Sequence, residues 1–106
     1  MKTRVASPVD SHTIEAVKTY LARAFPHCRV EAFWTAEPIE YTFVAYDVRN
    51  RPVCSVILER ELFDAHGPDA MPLALDDLGL ADTLRYRPAP QVRVARDGHL
   101  SLLRAG

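Results

Sequence analysis

Several things are scarce in this sequence. Its 106 residues include four glycines, two cysteines, one tryptophan, and two lysines against 11 arginines. So few glycines, read as turns and helix punctuation, leave no phosphate-binding glycine loop and no dinucleotide fingerprint. There is also no G-x-S-x-G elbow and no H-E-x-x-H pair, so no catalytic residue is assigned. Two cysteines without C-x-x-C spacing exclude a disulfide-dense scaffold and give zinc no ligand pattern. Accordingly no metal ligand and no cofactor is expected. No stretch approaches the ~18 apolar residues of a membrane span. The opening MKTRVASPVDSHT lacks the apolar core of a signal peptide, which points to the cytoplasm and away from a membrane partner. A formal net charge of −1 supplies no global field toward nucleic acid.

What is present is an ordinary globular composition, 48% apolar and 25% charged, enough for one domain over residues 1–106 with 1–10 as a loose arm. Its centre is residues 28–60. Cys28–Ala36 alternates in period two, Glu37-Pro38 interrupts it, and Ile39–Val48 is β-branched and aromatic throughout. Arg49–Pro52 makes a second turn before Val53–Leu58. Alternation, strand composition and turn residues all indicate a three-stranded antiparallel meander. Before it, Ile14, Val17, Leu21, Ala24 and Phe25 form one apolar stripe of a helix over 11–25. Asp10 or Ser11 is placed to cap it, and Pro26 to end it.

If Glu37-Pro38 is a two-residue loop, Ala36 pairs with Ile39 and Cys28 lies opposite Asp47. If Arg49–Pro52 is a four-residue loop, Val48 pairs with Val53, and Cys54 also lies opposite Asp47. Opposed residues share a face. One face then carries Val30, Ala32, Trp34, Tyr41, Phe43, Ala45, Val56 and Leu58, the bed for the N-terminal helix. The other carries Arg29, Glu31, Phe33, Thr42, Val44, Tyr46, Ser55, Ile57 and Glu59, and is only half apolar.

Glu59–His66 reads as a short helix stopped by Gly67-Pro68, residues 67–75 as a connecting loop, and Asp76–Tyr86 as a longer helix with Gly79 inside it. Gln91–Arg96 and His99–Leu103 read as a hairpin over 91–103 turned by Asp97-Gly98. The fold class is therefore two-layer α+β. An antiparallel sheet of three strands, extended to five if the hairpin joins, carries the N-terminal helix on one face.

Three constellations bear on function. The half-apolar face offers Phe33, Val44, Tyr46 and Ile57 to a protein partner or a second subunit if no other element covers it. Charge is uneven: residues 1–82 carry a net −5 and residues 83–106 a net +4. Arg49, Arg51, Arg85, Arg87, Arg93, Arg96 and Arg104 would thus form a nucleic-acid surface if they met on one side. Pairing of Arg93, and of Arg85 or Arg87, with Asp76, Asp77 and Asp82 is the plainer alternative. Third, Cys28, Asp47 and Cys54, with His27 adjacent, would be a thiol or metal site. The two cysteines flank the middle strand at roughly 9–10 Å, too far for a disulfide, and a buried strand cysteine usually serves as a small apolar residue.

The run Tyr46-Asp47-Val48 through Val53-Cys54-Ser55-Val56-Ile57-Leu58-Glu59-Arg60-Glu61-Leu62, with Phe63 and His66-Gly67 after it, resembles short proteobacterial proteins of unknown function. In those, a hairpin ending in a V-x-C-x-V/I strand runs into a brief helix. The resemblance covers residues 40–84 and implies a small bacterial cytoplasmic protein, with no activity or functional residue attached. The expectation from the residues is a non-enzymatic protein–protein interaction or regulatory module. Arginine-mediated nucleic-acid binding is the alternative and the Cys28/Asp47/Cys54 site the third reading.

Overall fold

The structure is a computed structural model that describes residues 9–36, 39–86 and 90–105. The expected arm over 1–10 lies almost wholly outside them, as does Arg87. Helix α1 spans Ser11–Ala24, strands β1, β2 and β3 span Arg29–Ala36, Ile39–Tyr46 and Pro52–Glu59, and short helices α2, α3 and α4 follow at Arg60–Ala65, Ala70–Asp77 and Leu80–Arg85. Strands β4 (Pro90–Val94) and β5 (Leu100–Ala105) close the chain. The fold is α+β, with an open five-stranded sheet in the order β1-β2-β3-β4-β5.

The Asp10 carboxylate caps α1 by accepting from the His12 amide at 3.0 Å, satisfying one of the free N–H groups of its first turn. Val17 and Leu21, four apart, are fully buried against the sheet. The predicted β1–β2 register holds residue for residue, from Arg29 opposite Tyr46 to Ala36 opposite Ile39.

The β2–β3 register departs from the expected one by two residues: Ala45, not Asp47, lies opposite Cys54. The reason is the turn. Asp47 Oδ1 accepts from the backbone amides of Arg49 and Arg51 at 2.9 and 3.0 Å, and its own N–H donates to the Arg51 carbonyl. Asn50 sits at φ +63°, in the left-handed region that asparagine enters at low cost. Residues 47–51 thus close on themselves, β2 ends at Tyr46, and a bulge beside Ala45 absorbs the difference. A slip of two preserves side-chain parity, so every residue keeps its expected face.

Three expectations about the second half are corrected. Residues 67–75 are not simply a loop: Ala70–Asp77 is helix α3, with Met71 and Leu75 buried four residues apart. Pro72 is accommodated because it falls in the first turn, where its missing N–H costs no helical bond. Asp76–Tyr86 is not one helix, since Gly79 at φ +73° ends α3 and starts α4. The hairpin does join the sheet, but β4 pairs with β3 in parallel, Val56 level with Val92 and Leu58 level with Val94. The sheet is therefore mixed, because a helical crossover returns the chain to the edge from which β3 began.

All four helices contribute to one core on one face of this sheet. Leu21 of α1, Leu62 of α2, Met71 and Leu75 of α3, and Leu80 and Leu84 of α4 cluster with Tyr41, Phe43, Val56, Leu58, Val92 and Val94. The Tyr20 hydroxyl joins three helices: it donates to Asp76 and accepts from the Ala81 amide, each at 3.3 Å.

Candidate interaction surface

Opposite the helices, the sheet has no described element packed on it. Alternation from the buried positions puts Phe33, Thr42, Val44, Tyr46, Ser55, Ile57, Gln91 and Arg93 there. Phe33, on edge strand β1, is 48% exposed. Val44, Tyr46 and Ile57 lie on inner strands, where neighbours on the same face half-cover one another. The register puts Val44 beside Glu31 on one side and Ser55 on the other, and Ile57 between Thr42 and Arg93. The result is an apolar band bordered by small hydroxyls and by charges at its ends.

Those charges are largely matched within the face. Arg29 pairs with Glu31, places its guanidinium 4.8 Å from the centre of the Tyr46 ring, and donates to Asn50 at 2.7 Å. At the other end of the band Arg93 pairs with Glu40, whose side chain is only 14% exposed. The β2–β3 register sets Glu40 directly opposite Glu59, a repulsive placement that Arg93 relieves from the neighbouring strand. Glu59 also accepts from the Arg96 amide at 3.0 Å, which ties the β4–β5 loop to β3.

The candidate arginines do not converge. Arg49 and Arg51 occupy the turn before β3, whereas Arg96 follows β4, level with the far end of β3. Eight residues at ~3.3 Å each separate those ends by roughly 25 Å. Arg51 lies 3.5 Å from Asp47 and Arg85 3.6 Å from Asp82 on the helical side. Arg93 is committed to Glu40, not to Asp76, Asp77 or Asp82. The side chain of Arg104 lies outside the described residues.

The cysteine constellation stays close enough for Asp47 to act on Cys28 and Cys28 on Cys54, but each member has a structural role. Asp47 is the keystone of a turn, its carboxyl held below the usual carboxylate range chiefly by the Arg51 and Arg49 amides and by the Arg51 guanidinium. Cys54 is a core residue, 2% exposed, and burial pushes its thiol up to about 12. Cys28 is half-buried, its thiol raised first by desolvation and then by the nearby Asp47 charge. Raised thiols are poor nucleophiles at neutral pH, and both cysteines are free. Among the described residues no three His, Cys, Asp or Glu side chains are grouped to hold a metal ion. Among the same residues no helix is long and apolar enough to cross a membrane.

Sequence reasoning missed one feature, a cleft of about 590 Å³ lined by Ile39, Glu40, Glu59, Arg60, Glu61, Arg93 and Arg96. It opens where β3 passes into α2 and β4 into its loop. No local signal marks it, since its residues come from three separate stretches that the β2–β3 register and the parallel β3–β4 pairing bring together. No family model, curated protein or solved structure matches the chain.

Proposed function

We propose that this protein is a non-enzymatic interaction module that docks a second copy of itself, open sheet face against open sheet face. The observation that carries the proposal is the one-sided placement of the helices, which leaves the Phe33, Val44, Tyr46 and Ile57 band without a described element across it. Two further properties support a second copy as occupant. The Arg29–Glu31 and Arg93–Glu40 pairs neutralise the face internally, and a two-fold interface, which sets like beside like, tolerates such a surface far better than a charged one. Five strands about 4.8 Å apart and up to eight residues long give a face of roughly 20 by 25 Å. That footprint, about 500 Å² per copy and about 1,000 Å² in total, lies at the low end of specific interfaces.

Light scattering on the purified protein at low and physiological salt tests this. The expected mass is twice 11.9 kDa, insensitive to salt because the contact is apolar, and Ile57→Lys returns it to the monomer. A monomer at every concentration, or a dimer that survives Ile57→Lys, overturns the proposal.

A further inference from the structure

The cleft between β3, β4 and the start of α2 has an asymmetry in how its charges are used. Glu61, in the first turn of α2, is exposed with no partner among the described residues. Glu40 is paired with the Arg93 guanidinium and Glu59 accepts from the Arg96 amide, so two of the cleft's three acids are engaged within the chain. Two of its three arginines are not. Arg60 and Arg96 line the cleft, and neither guanidinium has a carboxylate or hydrogen-bond acceptor bound to it among the described residues. The cleft volume of about 590 Å³ lies within the range that encloses small ligands.

We propose that this cleft binds a small oxyanion of the phosphate-ester or dicarboxylate class. Arg60 and Arg96 clamp it from two sides, and the neutral Arg93–Glu40 pair forms the floor. Two planar guanidinium groups match two charged oxygens, the arrangement in which bidentate recognition is strongest. Glu40 and Glu59 set the selectivity, because an anion too large to stay between the arginines meets their carboxylates. Every residue of the site belongs to one chain, and its floor, the Arg93–Glu40 pair, borders the open sheet face.

The test is an ¹⁵N-resolved NMR titration of the full chain at constant ionic strength, with inorganic phosphate in one arm and succinate in the other. The expected result is saturable binding in at least one arm, with shifts concentrated at Arg60, Glu61, Arg93 and Arg96. The tighter arm identifies the oxyanion class. The Arg60→Gln/Arg96→Gln double variant, whose changes are at exposed positions, is expected to bind about tenfold more weakly or worse. Arg49→Gln/Arg51→Gln, at the opposite end of the sheet, is expected to bind as the parent does. The proposal is overturned if neither probe saturates, if the shifts spread over all arginines, or if the two double variants lose binding equally.

Discussion

Val56 and Ile57 are adjacent in β3, yet one is fully buried against the helices and the other half-covered on the open face. Truncating each to alanine separates the two faces. Val56 lies level with Phe43 on one side and Val92 on the other, so the space it leaves has little to fill it. Losing two methyl groups forfeits about 1.6 kcal/mol of transfer free energy. A residual void of roughly 50 Å³ adds about 1.2 kcal/mol. Val56→Ala should therefore cost about 2–3 kcal/mol. Ile57→Ala removes three carbons, but from a site open on one side, and in the monomer should cost about 1 kcal/mol. The assay is urea unfolding at two protein concentrations tenfold apart. With a slope of about 1.5 kcal/mol/M, Val56→Ala lowers the midpoint by roughly 1.3–2 M. Unfolding coupled to dimer dissociation adds a concentration dependence worth about 1.4 kcal/mol per tenfold, which Val56→Ala retains and Ile57→Ala diminishes. Equal costs for the two substitutions at the lower concentration would refute the reasoning, because Ile57 would then be as enclosed as Val56 within one chain.

Two other predictions follow from the turn and the cysteines. The Asp47 carboxyl is held below its ordinary value by the Arg51 and Arg49 amides, so its stabilising effect is present above about pH 4, the unfolded value, and is lost as pH falls through the lower folded value. Asp47→Ala should destabilise the protein at pH 7, and the gap from the parent in thermal melts should shrink between pH 5 and pH 2; a gap constant across that range would show that the carboxylate is not what closes the turn. Cys54, buried and with its thiol pushed up to about 12, should react with a disulfide reagent at pH 8 only in denaturant, whereas half-buried Cys28 reacts slowly in the native protein. Native Cys28→Ser protein should therefore show no reactive thiol, and rapid labelling of it would contradict the burial of Cys54.

The sequence by itself determined helix α1, the meander and the allocation of every meander side chain to a face, because each rests on a local period. The apolar stripe of 14, 17 and 21 is a property of one helix, and period-two alternation fixes sides even when register is wrong, as the two-residue slip at Asp47 shows. The placement of Phe33, Val44, Tyr46 and Ile57 on one open face was legible for that reason. The tertiary structure alone decided what depends on long-range closure. Gly79 as a break between two helices, Pro72 inside a helix, and the parallel docking of β4 on β3 all follow from burying Met71, Leu75, Leu80 and Leu84 over the sheet, a packing demand that no window of sequence contains. The arginines that looked like one basic tail were scattered by the same closure: Arg85 stayed on the helical side, Arg93 was taken by Glu40 from across the sheet, and Arg96 was carried to the cleft beside Arg60. Local chemistry chose which face each residue occupies, and three-dimensional closure chose its neighbours there.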